Sequence, residues 1–165
     1  MFFTGLIGAY IVLRQSTPDW PQPSTVLNIP LTAFNTFILI CSSATLVIGL
    51  AAAQDGNKEG MQTGLLLTVL LGSLFLAIQA HEYHELMHIK HFTPSSSIFG
   101  SCFFTLTGFH GMHVFVGVLC LVFVFIRSMR GGYTPAEYRG IEVTGLYWHF
   151  VDLVWIILFT ILYLI

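Results

Sequence analysis

The motif with the most direct catalytic chemistry in this sequence is His84-Glu85-Leu86-Met87-His88. On a helix the two histidines lie one turn apart and can bind one zinc ion, and the glutamate can act as a general base. The pattern raises the hypothesis of a zinc protease that works within a membrane. Such an enzyme takes a third ligand from an Asp-Gly pair on a later helix, whereas Asp55-Gly56 precedes the motif and falls in a loop. The alternative interpretation is a polar, hydrated helix end.

Two further histidines, His110 and His113, lie three residues apart inside a long apolar stretch. Imidazoles on successive turns could bind heme or copper, but the sequence offers no recognisable third or fourth ligand beside them. The alternative is that each ring donates a hydrogen bond to a backbone carbonyl or to a carboxylate of a neighbouring helix. Glu82 and Glu85, at the end of the preceding segment, are plausible acceptors.

The last segment carries three more candidate positions, His149, Asp152 and Glu142. His149 and Asp152 are three residues apart, and an ion pair or hydrogen bond between them would offset the cost of burying both. Glu142 stands at the start of the segment, where the helix dipole favours a carboxylate. We interpret all three as residues that fix this helix against its neighbours.

These polar residues belong to an unusually apolar chain. Of the 165 residues, 55% are hydrophobic and only 8% are charged, whereas a soluble domain is about one quarter charged. The sequence therefore predicts an all-α protein, a polytopic bundle of transmembrane helices in a single domain. A net charge of −2 gives no indication of nucleic-acid binding. A polar side chain in hydrocarbon costs several kcal/mol unless it is satisfied, so each candidate residue is expected to face protein, a lipid headgroup or water.

Five apolar segments are predicted, of which four are full membrane spans. Their approximate bounds are 1–13, 31–53, 62–88, 98–126 and 141–165. As a helix the first segment reaches only about 20 Å, which is short of the roughly 30 Å hydrocarbon core. It is therefore predicted to be a partial helix.

Basic residues in the short loops predict the orientation. Loops 54–61 and 127–140 carry four of them and loops 14–30 and 89–97 carry two, namely Lys58, Arg127, Arg130 and Arg139 against Arg14 and Lys90. Because basic loops remain inside, we expect the N-terminus inside and the C-terminus outside. Arg127 ends the fourth segment on the inner side, where its guanidinium can reach the interface and bind a phosphodiester.

Five strings of residues, in order along the chain, carry a resemblance to a known family. They are Phe2-Phe3-x-Gly5 with Ala9-Tyr10; Pro30-Leu31 with Asn35-Thr36 and Ser42-Ser43; Gln79-Ala80-x-Glu82-Tyr83-x-Glu85; Thr107-Gly108-Phe109-His110-Gly111-x-His113; and Glu142 with Tyr147-Trp148-His149-Phe150-Val151-Asp152-x-Val154-Trp155. Together they resemble subunit III of heme–copper terminal oxidases of the cytochrome c oxidase type. The chain is similar to a five-helix form that lacks the first two helices of the full-length subunit.

The resemblance implies an accessory subunit without a cofactor of its own in an aerobic respiratory complex. Hemes and copper would belong to partner subunits, and this chain would pack directly beside catalytic subunit I, with subunit II and other oxidase or supercomplex subunits nearby. It would hold phospholipid, with Arg127 resembling an arginine that binds a lipid phosphate, and would support proton uptake. The membrane would be a bacterial cell membrane or a mitochondrial inner membrane.

Three hypotheses therefore stand side by side. The first is a non-catalytic oxidase subunit in which Glu82, Glu85, His110, His113, Glu142, His149 and Asp152 form a structural polar network. The second is the zinc protease, although within the resemblance only Glu85 belongs to the family pattern and His84 and His88 do not. The third is a free-standing channel or transporter, for which we would expect interrupted helices at corresponding positions and find none in the sequence.

Overall fold

The computed structural model describes residues 2–18, 20–21 and 27–164 and contains five α-helices in that range. They are α1 (Phe2–Ser16), α2 (Ile29–Gln54), α3 (Lys58–His84), α4 (Ile98–Met129) and α5 (Arg139–Phe159). Two of them continue as single π-helical turns, α3 through Glu85–Ile89 and α5 through Thr160–Leu164. The predicted all-α class is confirmed. Met1 and Ile165, which bound the first and last predicted segments, lie outside the described residues.

Polar side chains set where three of the helices begin. The side-chain oxygens of Asn28, Asn57 and Ser97 accept hydrogen bonds from backbone amides one turn into α2, α3 and α4, at 3.4, 3.0 and 2.9 Å. These caps satisfy amides that have no partner within the helix. Each helix therefore begins at the residue after its cap. As a result, α2 begins two residues before the predicted apolar segment and α3 begins four residues before it.

Four helical stretches are long and apolar enough to cross a membrane. Among the described residues they are Ile29–Gln54, Lys58–Ile89, Ile98–Met129 and Arg139–Leu164. Large apolar side chains such as Phe34, Phe123 and Leu146 point away from the rest of the protein. Helices satisfy their own backbone groups, which is why they can cross hydrocarbon.

The four long helices form a closed ring. α2 packs against α3, α3 against α4, α4 against α5, and α5 returns to α2, while α1 lies mainly on α4. The ring has two ends. The arginine end, with Arg127, Arg130 and Arg139, contains the turns that join α2 to α3 and α4 to α5. The histidine end, with His81, His84, His88 and His91, contains the turns before α2 and α4.

Trp148 of α5 touches the other three helices of the ring. Its six-membered ring lies between two glycines, and a Cβ on Gly72 of α3 or on Gly117 of α4 would come within 2.6 or 2.8 Å of it. Its Nε1 donates to Ser42 Oγ of α2 at 3.0 Å. Glycine at both positions is thus what allows the indole to occupy the centre of the bundle, where it is 1% exposed.

A second close approach joins α2 to α3. A Cβ on Gly64 would lie 2.6 Å from Gly49 Cα and 2.9 Å from the carbonyl oxygen of Thr45. Both obstacles are backbone atoms, which cannot turn away as a flexible side chain can. Small residues commonly allow membrane helices to approach in this way.

Gly64→Ala is therefore expected to separate α2 from α3 and to destabilise the protein by about 1–3 kcal/mol, the usual cost of overpacking. The measurement is the thermal unfolding midpoint of the full chain in detergent. Gly8→Ala is the matched control, because no atom lies within 4 Å of a Cβ at that position and alanine favours a helix. Equal midpoints for the two variants would contradict the packing argument.

Candidate functional site

Buried polar side chains converge along the inside of the ring, and we call this set the polar seam. It consists of Thr32, Asn35, Thr36, Ser42 and Ser43 of α2, Gln79 and Glu82 of α3, Thr107 and His110 of α4, and Trp148, Asp152, Trp155 and Tyr163 of α5 and its π-turn. The α2 members recur at helical spacing, so one face of α2 supplies hydroxyl and amide groups to its neighbours.

Glu82 lies near the histidine end of the seam and is only 4% exposed. Thr32 Oγ1 donates to its Oε1 at 2.9 Å, and the Tyr163 hydroxyl lies 3.4 and 3.5 Å from its two carboxyl oxygens. Glu82 therefore connects α3 to α2 and to the π-turn of α5 through neutral hydroxyl donors. The prediction that Glu82 or Glu85 accepts from the histidines of α4 is wrong, because His110 and His113 bond instead to the backbone carbonyls of Val151 and Phe109. Glu85 pairs with Lys90 at 3.6 Å.

Asp152 lies at the α5–α2 interface. Ser43 Oγ donates to its Oδ2 at 2.6 Å, which joins residues 109 positions apart. The predicted hydrogen bond or ion pair between His149 and Asp152 does not form among the described residues, and the two side chains interact only through their charges at a longer distance. The reason is geometric: Asp152 faces α2, where a short serine side chain reaches its carboxylate.

His110 is completely buried between α3, α4 and α5. Its Nε2 lies 3.2 Å from the backbone carbonyl of Val151 on α5, so the predicted bond to a carbonyl of a neighbouring helix is confirmed for this residue. The imidazole also packs against Trp155, with ring centroids 4.6 Å apart, and near Phe75, at 6.0 Å. Complete burial away from water favours the neutral form of this imidazole.

His113 has a different environment. Its Nδ1 bonds to the carbonyl of Phe109, on its own helix, at 2.7 Å, so the expectation of a bond to a neighbouring helix is wrong here. The ring packs against Phe3 and Phe2 of α1, with centroids 5.3 and 6.4 Å away. His113 therefore helps to attach α1 to α4.

The H-E-x-x-H motif lies at the histidine end, partly in the π-turn. His84 and His88 are exposed, and their ring centroids are 4.7 Å apart. Within the described ranges, no group of three or more histidine, cysteine, aspartate or glutamate side chains could hold a metal ion. Asp55 follows α2 at the arginine end, so it cannot supply a third ligand. The geometry does not support the zinc protease.

Arg127 lies in the last turn of α4 at the arginine end. Its guanidinium is 3.8 Å from Glu137 Oε1 and 5.0 Å from the centre of the Tyr133 ring. It lines a groove of about 760 Å³ between α4 and α5, together with Arg139 and apolar side chains such as Leu119, Phe123 and Val143. Burial raises the pKa of the Tyr133 phenol and the Arg127 charge lowers it, so the net shift is upward and the hydroxyl keeps its proton at neutral pH. Glu142 lies in the first turn of α5, as predicted, and is exposed.

The order of these residues along the chain matches a known family. Residues 9–165 match the family model for cytochrome c oxidase subunit III. The chain belongs to the cytochrome c oxidase subunit III family. A probable cytochrome c oxidase subunit 3 of Nocardia farcinica is 42% identical over all of this chain and 81% of the relative. The subunit 3 proteins of Corynebacterium diphtheriae and Thermostichus vulcanus are 42% and 38% identical, again over the whole chain and 82% and 81% of the relatives.

Membership of the subunit III family identifies the surroundings of the chain. It is an integral membrane protein and a component of an oxygen-reducing heme–copper oxidase complex with other subunits. The polar seam therefore lies inside one subunit of that oxidase complex.

Sequence reasoning identified the acidic and histidine members of the seam but missed their partners. Thr32, Ser43 and Tyr163 donate to Glu82 and Asp152, yet none of them was a candidate residue. One signal was available: the polar residues of α2 repeat at helical spacing within an otherwise apolar stretch. A polar face on a membrane helix indicates polar partners opposite.

The contacts of Glu82 generate a prediction. Glu82→Gln keeps an acceptor oxygen, whereas Glu82→Leu leaves the Tyr163 hydroxyl without one, at a cost of about 1–3 kcal/mol. Thr32 loses less, because its hydroxyl also reaches the carbonyl of Asn28 at 3.1 Å. We expect the thermal midpoint of the full chain in detergent to fall clearly more for leucine than for glutamine.

The control for this prediction is a second change in the leucine variant. Adding Tyr163→Phe removes the unpaired hydroxyl and is expected to recover part of the lost stability. If the glutamine and leucine variants have equal thermal midpoints, or if adding Tyr163→Phe lowers the midpoint of the leucine variant further, the hydroxyl contacts do not stabilise Glu82.

Proposed function

We propose that this chain is an accessory subunit of a proton-pumping cytochrome c oxidase and carries no cofactor or catalytic residue of its own. The observation that supports this most directly is the use of its buried ionisable groups. Glu82, His110 and Asp152 are each engaged in contacts between helices of the same chain. Groups used in this way stabilise a scaffold, and the hemes and copper then belong to partner subunits.

The proposed direct partner is the catalytic subunit of the complex, with subunit II and other oxidase or supercomplex subunits beside it. The family supports this proposal, and so does the outer surface of the ring, where α2 and α4 expose large apolar side chains that another membrane subunit can cover. The chain would stabilise the catalytic subunit and support its proton uptake. No nucleic acid takes part.

The proposed orientation puts the arginine end inside the cell or mitochondrial matrix and the C-terminus outside. Arg127, Arg130 and Arg139 gather at one end of the ring together with Lys58, whereas Arg14 and Lys90 lie near the other. Basic residues of short loops favour the inner side.

We further propose that the groove beside Arg127 holds phospholipid. Its walls are apolar side chains suited to acyl chains, and the guanidinium groups of Arg127 and Arg139 stand at one end, where a phosphate would lie. Arginine binds phosphate through two parallel hydrogen bonds. Arg127 is half exposed and its contact with Glu137, at 3.8 Å, is long, so the guanidinium can bind a second anion.

The function is tested by purification. An affinity tag at the C-terminus of this chain is expected to recover, from detergent-solubilised membranes of its host, a complex with the absorption spectrum of heme and with bound copper. Recovery of the chain without a heme-bearing partner would contradict the proposed function.

Asp152→Leu tests the accessory character of the chain. The variant leaves the Ser43 hydroxyl without its acceptor and weakens the α2–α5 contact, so less of the subunit is expected to stay in the purified complex. The heme spectrum of the remaining complex should not change. Asp152→Asn keeps an acceptor oxygen and serves as the control. An altered heme spectrum with normal retention of the subunit would contradict a role confined to assembly.

Arg127→Ala tests the lipid site. It removes the cation at the head of the groove, so the amount of phospholipid that co-purifies with the complex is expected to fall by about one molecule per subunit. The measurement is quantitative lipid mass spectrometry. Arg130→Ala is the matched control, because Arg130 lies at the same end of α4 but does not line the groove. Equal lipid content in the wild type and the Arg127 variant would exclude the site.

A further inference from the structure

We propose that water molecules bind inside the bundle around Phe75, at Asn35 Oδ1, Gln79 Oε1 and His110 Nδ1. These three atoms are buried polar atoms of the seam, and among the described residues none of them has a hydrogen-bond partner. All three atoms are acceptors, their residues lie at or near Phe75, and the neighbouring donors already have partners.

All three atoms are hydrogen-bond acceptors. Asn35 Nδ2 donates to the carbonyl of Phe75 at 3.2 Å, and Gln79 Nε2 donates to the carbonyl of Thr107 at 3.3 Å. A carbonyl oxygen can only accept, so the NH₂ group of each amide must face it. The unpartnered atoms of Asn35 and Gln79 are therefore the amide oxygens. His110 Nε2 also faces a carbonyl, that of Val151. It therefore carries the proton, and Nδ1 is left as an acceptor.

The three acceptors adjoin one residue. Asn35 is bonded to the carbonyl of Phe75, Gln79 lies one helical turn further along α3, and the His110 ring is 6.0 Å from the Phe75 ring. Gln79 Oε1 would also be 3.7 Å from a Cβ on Gly111, the residue after His110. Asn35 and His110 thus both contact Phe75, and Gln79 lies one helical turn from it.

The neighbouring protein donors are already in use. Trp155 Nε1 donates to Thr36 Oγ1, and Thr36 donates to the carbonyl of Thr32. Thr107 Oγ1 donates to the carbonyl of Phe103, and Ser43 donates to Asp152. The Tyr83 hydroxyl, beside Gln79, donates to Thr107 Oγ1 at 2.6 Å, so these donors are all engaged elsewhere. The Nε1 of Trp20 has no partner among the described residues, but the Trp20 ring packs against Phe99, which lies roughly 16 Å along α4 from His110.

A ligand for these atoms has to donate hydrogen bonds and has to be small and neutral. Water satisfies all three requirements, and buried water in proteins typically makes about three hydrogen bonds to groups that lack other partners. Asp152 Oδ1 is a fourth buried oxygen without a partner in the described part of the chain. It follows Val151, the partner of His110, so the hydrated region extends towards α5.

The experiment is X-ray hydroxyl-radical footprinting of membranes that contain the assembled oxidase, in ¹⁸O-labelled water. Radicals form at bound water, so Phe75 is expected to incorporate ¹⁸O at least about threefold faster than a fully buried side chain without water beside it. Phe103 is the matched control, because both rings are completely buried. Phe103 also lies nearer the end of its helix, so bulk water would favour it. Equal rates for Phe75 and Phe103 would overturn the proposal.

A variant pair and a density map complete the test. Gln79→Leu removes one acceptor and is expected to reduce the labelling of Phe75, whereas Gln62→Leu, at the arginine end, should not. A high-resolution map of the wild-type complex should contain density within about 3 Å of Gln79 Oε1 and His110 Nδ1. A map in which Gln79 Oε1 and His110 Nδ1 contact protein groups directly, without water density beside them, would overturn the proposal. This outcome does not depend on whether the Gln79→Leu variant folds.

Discussion

The packing of one indole governs the rest of the bundle. Trp148 fits only because Gly72 and Gly117 leave space on either side of it, and its Nε1 reaches Ser42 on the fourth helix of the ring. In hydrocarbon there is little hydrophobic drive between helices, so close packing and hydrogen bonds provide the association. The spacing that Trp148 imposes brings the polar face of α2 into reach of α3 and α5.

The polar seam follows from this spacing. Glu82 and Asp152 would be costly in a membrane if they stood alone, and each instead accepts from a hydroxyl on α2, Thr32 or Ser43. The same helix face carries Asn35, whose oxygen belongs to the proposed water site. Polar groups in this subunit therefore stabilise contacts between helices, while the apolar outer surface remains available for lipid and for other subunits of the oxidase.

Residue types that suggest catalysis serve other purposes here. His110 is packed between Trp155 and Phe75, and His113 attaches α1 to α4. The exposed pair His84 and His88 lies at a helix end without a third ligand among the residues described. Spacing along one helix brings two potential ligands together, but a functional metal centre also needs ligands from other elements, and the fold of the described residues does not bring any to this pair.

The sequence by itself determined the helical class, the four spans and the family, because these depend on local features: long apolar stretches and ordered strings of residues. It also indicated that His110 would bond to a carbonyl or a carboxylate of a neighbouring helix, and the structure decided for the carbonyl of Val151. Only the tertiary structure decided that Ser43 rather than His149 is the hydrogen-bond partner of Asp152, and that Thr32 and Tyr163 are the hydrogen-bond partners of Glu82. Those partners lie 50 to 109 residues away along the chain, and which of them meet depends on how the helices turn and cross, which no local pattern specifies.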